Sequence, residues 1–173
     1  MSGLYTIPIG GLKDGMYLYD FEIGRTFFEQ FEESEINNGS LAVTVTADKR
    51  STHIDLSVKI AGAVSISCDR CLELFQHPLS CENRLLVKFG RVRDESDPDI
   101  ITVPFDENEL DMLQYFYEYI LLALPIQRVH PDDRYGNSTC DPEMLKKLKE
   151  HIVYEEDKND PRWDDLKKLM NNN

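Results

Sequence analysis

Hydrophobic and polar residues alternate through most of the first two-thirds of the chain. Leu41, Val43, Val45 and Ala47 are interleaved with Ala42, Thr44, Thr46 and Asp48; Ile54, Leu56, Val58 and Ile60 are interleaved with His53, Asp55, Ser57 and Lys59. A period of two gives a strand with one buried and one wet face. The polar break at 48–51 lets these two strands fold back as a hairpin. Ala61-Gly62 punctuates the second strand, and Val64 and Ile66 carry the alternation towards Cys68. A further strand is expected over about 81–89, with Leu85, Val87 and Phe89 on one face and Arg84 and Lys88 on the other. Shorter strands are expected at Tyr5, Ile7 and Ile9, over 16–23, and at Ile101 and Val103, with a short helix over 25–31.

The last third changes period. Leu110, Leu113, Tyr117, Ile120, Leu121 and Leu124 recur at helical spacing, and Asn108 with Asp111 three residues on forms a weak capping box. Met112, Phe116, Tyr119 and Leu122 occupy the opposite face, so this helix is expected to be apolar nearly all round and buried against the sheet, ending at Pro125. Asp141-Pro142 and Asp160-Pro161 each set an N-cap acid before a first-turn proline, and Trp163, Leu166 and Met170 make one apolar face on the last helix. Strands first and helices afterwards predict an α+β fold: an antiparallel sheet packed against a buried helix, with short C-terminal helices. One domain is expected over 1–154, followed by an acidic linker and an amphipathic helix over 155–173.

Composition narrows the function. The 173 residues hold 19 Lys and Arg against 32 Asp and Glu, a net charge of −13. Indiscriminate nucleic-acid binding needs clustered cations, so that class is disfavoured. The longest apolar run, 119–126, is far short of the roughly 20 residues of a membrane helix. No secretory signal is visible at the N-terminus, and a cytoplasmic protein is expected. Acid-rich stretches at 29–35, 94–99 and 155–160 read as loops.

The densest chemistry is Cys68-Asp69-Arg70-Cys71, a CxxC knuckle that can turn two sulfurs to one point. His130 and Cys140 could complete a tetrahedral zinc site, brought to the knuckle by the fold. Their separation exceeds the usual finger spacing, and a metal would explain how segment 126–140, which lacks a core-forming pattern, is ordered. Three readings stay open from the residues alone: structural zinc, small buried core thiols, or a redox dithiol. Cys81, at a strand start, reads as a packed thiol. Glu118 is the one charge within the apolar helix; it is either an acid/base residue or a carboxylate that pairs with Arg128 or Arg134 or reaches solvent. No nucleophile elbow, zinc-protease helix or phosphate loop accompanies it, so a non-enzymatic binding or assembly protein is expected. Arg70, Arg84, Lys88, Arg91 and Arg93 fall in one stretch, readable as an anion-binding face or as solvated edge-strand charges. The acidic remainder points to a basic partner.

Taken together, CDRCLELF, then EYILLALPIQRVHPDDRYGNSTC, then Asp160-Pro161-Arg162-Trp163 with Leu166-Lys167-Lys168-Leu169 resemble the YceD family of large ribosomal RNA subunit accumulation proteins. The resemblance spans roughly 40–170. It implies a role in synthesis, processing or stability of large-subunit (23S) rRNA, no enzymatic activity, and large-subunit rRNA or its precursor as partner. A basic large-subunit ribosomal protein is the alternative partner, held without RNA contact. By position, Cys68, Cys71, His130 and Cys140 fall on the family's Cys/His motif; the clustered Arg70, Arg84, Lys88, Arg91 and Arg93, read from the residues themselves, are the candidate RNA-binding residues.

Overall fold

The alternating segments form long strands with one apolar face. A computed structural model describes residues 3–32, 34–36 and 38–151. Its elements are β1 (Thr6–Pro8), β2 (Gly15–Ile23), α1 (Arg25–Phe28), β3 (Asn38–Lys49), β4 (His53–Ser67), β5 (Leu74–Gly90), β6 (Asp94–Asp97), β7 (Ile100–Pro104), β8 (Glu109–Asp111), α2 (Leu113–Leu122) and α3 (Pro142–His151). A six-stranded sheet runs β2-β3-β4-β5-β7-β6, and β1 pairs with β8 in a separate two-stranded ribbon. All pairs are antiparallel except β5 with β7. The class is α+β, as the pattern predicts.

One face of the sheet is apolar. Leu41, Val43, Val45, Ile54, Leu56, Val58, Leu85, Val87, Ile101 and Val103 are buried there. They share one core with Ile7 of β1 and Ile9 just past it, Phe27 and Phe28 of α1, Leu110 and Met112, and Phe116 and Ile120 of α2. Aromatic edges lock the cover: Tyr5 meets Phe27 and Phe116 edge-on, with ring centres 5.0 and 6.3 Å apart.

Five expectations are corrected, four in the strands and the helix start and one in the helix face. Ala61-Gly62 does not interrupt β4, because Gly62 supplies the positive φ of 153° that continues the ladder past Ser40, whose carbonyl a Cβ would strike. The strand expected over 81–89 begins at Leu74, its N-terminal half extending β4's antiparallel ladder. Residues 94–97 are the edge strand β6 rather than a loop. Asn108 caps nothing and Leu110 is not helical: β8 takes 109–111, and α2 starts at Leu113, whose N–H donates to Asp111 Oδ1 at 2.9 Å. Short-range spacing could not see that β1 captures these residues as a strand partner.

Nor is the helix buried all round. Leu122 is 80% exposed, and Ile126 beyond it is fully exposed. Glu118 lies on the exposed face and accepts from Gln114 Nε2 at 2.8 Å, one turn back; Arg128 pairs instead with Glu35 at 2.6 Å. Asp141 does cap α3, accepting the Glu143 N–H at 3.0 Å. The linker and amphipathic helix expected over 155–173, with Asp160-Pro161 and Trp163, lie outside the described residues. Among those described, no helix is long and apolar enough to cross a membrane.

Candidate metal centre

At the end of the β4–β5 hairpin the chain makes its knuckle. Cys68 N–H donates to Glu73 O at 2.9 Å, and Leu72 N–H donates to Cys68 O at 2.9 Å. The turn closes through Leu72 at φ 64°, a left-handed conformation that an L-residue with a Cβ adopts at some cost. It leaves both sulfurs inward, and Arg70 N–H donates to Cys68 Sγ at 3.4 Å.

The second pair of ligands arrives from the segment after α2. Asp69 holds this segment twice: its N–H donates to Arg128 O at 2.7 Å, and its Oδ2 accepts the Arg128 N–H at 2.7 Å. His130 follows two residues on, its ring tilted against Phe75 with centres 4.7 Å apart. The wide gap to Cys140 is closed by Asp133. Its carboxylate accepts the Tyr135 and Asn137 N–H groups at 2.8 Å, and Gly136 supplies the positive φ of 81°. Thr139 Oγ1 then donates to Pro131 O at 2.8 Å, bringing the two ends of the loop together. This is how a spacing too wide for an ordinary finger still serves one site.

Cys68, Cys71, His130 and Cys140 thus meet, with ligand atoms all within 4.8 Å of one another. Cys68 Sγ lies 3.7 Å from Cys140 Sγ. His130 Nδ1 lies 3.4 Å from Cys71 Sγ and 3.7 Å from Cys140 Sγ. Tetrahedral zinc, with Zn–S of about 2.3 Å and Zn–N of about 2.0–2.1 Å, has edges of about 3.8 Å between sulfurs and about 3.5 Å between sulfur and nitrogen. The donor set and these edges fit a metal such as zinc. Cys81 is not part of it; its thiol faces Tyr119 O at 3.8 Å, against α2.

The sulfurs have unequal electrostatics. Burial works to raise the Cys68 thiol, but the N–H groups of Cys71, Arg70 and His130 together hold it down to about 6. Cys140 moves the other way: the Ser138 hydroxyl lowers it, but burial and the neighbouring Cys68 and Cys71 push it up overall. A cation at the centre would relieve that crowding of sulfur.

Of the basic candidates, only Arg70 shares this site. Arg70 sits in the knuckle, while Arg84 and Lys88 lie on the outward face of β5, opposite Ser57 and His53 of β4. Lys88 is fourteen residues beyond Leu74, roughly 45 Å along the strand at about 3.3 Å per residue. Arg93 is held by Glu95 and Glu107, both at 2.6 Å, and Arg91 is exposed just past β5. Asp69 and Asp133, which assemble the centre, were missed from sequence; only the Asp-x-x-Gly-Asn turn signal at 133–137 hinted at the second.

The sequence model described as "Large ribosomal RNA subunit accumulation protein YceD" matches residues 56–170, more than half of the chain and all four candidate ligands. No curated protein and no solved structure was found that matches it.

Proposed function

The chain belongs to the YceD family, and from that premise we propose that it is a non-enzymatic factor needed for the synthesis, processing or stability of large-subunit (23S) rRNA. Membership carries a role in ribosome biogenesis in general; the specific role is this proposal. The observation that carries it is the family match across the whole Cys/His centre. Cys68, Cys71, His130 and Cys140 would hold a structural zinc ion, which would supply cross-linking of the knuckle to the post-helix segment rather than reactivity. Deleting the gene should lower large-subunit rRNA relative to small-subunit rRNA, with rescue by the native sequence and poor rescue by Cys68→Ser. Unchanged rRNA ratios and ribosome profiles in the deletion strain would refute it.

A second reading is favoured by one feature. Glu95, Asp97, Asp111 and Glu118 line a cleft of about 330 Å³ together with Ile101, Leu113 and Arg93, and Arg93 already pairs with Glu95 at 2.6 Å, leaving the other three carboxylates open among the described residues. Tyr115 Oη donates to Glu95 at 3.3 Å; burial first, then the Glu95 charge, push that hydroxyl up to about 12. A carboxylate rim with aliphatic neighbours suits a Lys or Arg side chain. On this reading the protein holds a basic large-subunit ribosomal protein without touching RNA. Salt-sensitive binding of one isolated basic ribosomal protein, in the absence of RNA, tests it; absence of binding at low salt counts against it.

A further inference from the structure

The end of the hairpin opposite the cysteines carries a separate constellation. Beside the β3–β4 turn, Phe89 and Phe105 line a surface cavity of about 310 Å³ with Ser51 and Thr52. Phe105 is 73% exposed, unusual for a large aromatic ring with no packing duty. Lys49 Nζ lies 5.2 Å from the centre of the Phe89 ring. Lys88, opposite His53 on β4 and Thr102 on β7, points to the outward face of the sheet, away from these rings. β5 and β7 are parallel and in register at Gly90 and Pro104, so Arg91 and Phe105 leave their strands side by side. Arg50 extends from the turn, paired with Asp48 at 2.8 Å. The other carboxylates nearest in the chain and register are Asp55, Asp94, Asp106 and Glu107, the last held by Arg93. On a chain of net charge −13, this is a local gathering of cations around two aromatic rings.

An exposed ring beside a half-buried one, flanked by cations and hydroxyls, is what an unpaired nucleotide needs: a flat apolar surface for the base, cations for the phosphate, hydroxyls for the polar edge. A duplex cannot use the rings, because its bases are already stacked. We infer that this end of the sheet binds single-stranded RNA, with a base stacked at Phe89 and Phe105 and phosphates met by Lys49, Arg91 and Arg50. The inference rests on the ribosomal-RNA reading for its partner class, and it moves the RNA contact away from Arg70. With fifteen residues in β4, the knuckle is roughly 45 Å away at about 3.3 Å per residue.

The test uses the full zinc-loaded chain and a fluorescein-labelled twelve-uridine RNA, followed by anisotropy at low salt. Phe105→Ala should weaken binding about tenfold or more, and Arg91→Glu by a similar factor with a shallower salt dependence. Arg70→Ala should change it less than about twofold, and a duplex RNA of equal length should bind more weakly than the single strand. Both altered side chains are exposed, so unchanged melting of each variant certifies the fold. Undetectable binding by the native chain, equal binding by Phe105→Ala, or duplex bound as tightly as single strand would each overturn the site. If the site fails while gene deletion still lowers large-subunit rRNA, the broader reading survives without it. If the site holds while rRNA ratios are unchanged on deletion, the broader reading falls and the RNA site stands.

Discussion

Ile54, Leu56, Val58, Val64 and Ile66 all have zero exposure in the sheet core, whereas Cys140 is the one buried residue from Leu122 to His151. The two regions are ordered by different means. The first gathers apolar side chains from every strand pair, so burial at about 25 cal/mol per Å² sums over many residues. The second buries only Cys68, Cys71 and Cys140, with Phe75, Val129, Met144 and Leu145 half-covering them, and α3 contributes no buried side chain. Three small thiols cannot supply what a full core supplies. The segment after α2 therefore depends on backbone ties and on whatever its sulfurs hold.

The contrast can be broken from either side. The largest effect is expected in the sheet core. Phe116→Ala, which removes a ring packed against Tyr5 and Phe21, should cost about 3–5 kcal/mol and lower the single denaturation transition of the whole domain. A loss below about 1 kcal/mol would show that α2 is not integral to that core. Next, Cys140→Ser or a strong chelator should abolish zinc binding and amide protection over 126–151. Protection of β3, β4 and β5 should persist; collapse of the strands as well would merge the two regions into one cooperative unit.

The pH dependence of zinc affinity sharpens the same contrast. A metal displaces protons from its sulfurs. Cys68, held down to about 6, is already a thiolate at neutral pH and takes up a proton only as pH falls through about 6. Cys140, pushed up, must release one at neutral pH. Affinity should therefore fall as pH falls, by at least about tenfold per unit near neutrality, and more steeply below about pH 6. Competition against a chromophoric chelator measures it, and a profile flat from pH 8 to 5 contradicts the ligand set. Asp69→Ala should weaken zinc binding by roughly tenfold, since it removes one of two bonds tying Arg128 to the knuckle; unchanged affinity would mean the loop seats itself without that tie. The smallest effect is at Leu72. Leu72→Gly relieves a left-handed residue but adds unfolded-chain freedom, so stability should move by less than about 1 kcal/mol. A loss of zinc in that variant would assign the Leu72 side chain a part in the centre.

Much of the fold was legible because alternation is a local signal that burial enforces. The β3–β4 hairpin, β2 and β7 stand where the pattern puts them. The start of α2 was not legible, because Leu110 and Asn108 fit helical spacing equally well until β1 takes Glu109–Asp111 as its partner. Exposure of Leu122 and Glu118 was hidden for a related reason: helical periodicity names faces but not how far the covering sheet extends. In the candidate centre the ligand types could be read from the CxxC and the later His and Cys. The partner of Asp69 and the closure by Asp133 could not, because both are hydrogen bonds between segments that meet only in the folded chain.

By itself, then, the order of residues determined the α+β class, the apolar face of each strand and the four metal-ligating candidates, since these follow from period, residue chemistry and short spacing. The tertiary structure alone decided that three thiols and an imidazole converge and that the cations divide between the two ends of β4. It also decided that Phe89 and Phe105 end beside Lys49 and Arg91. Those are distances between strands, and strand pairing brings together residues that no local pattern relates.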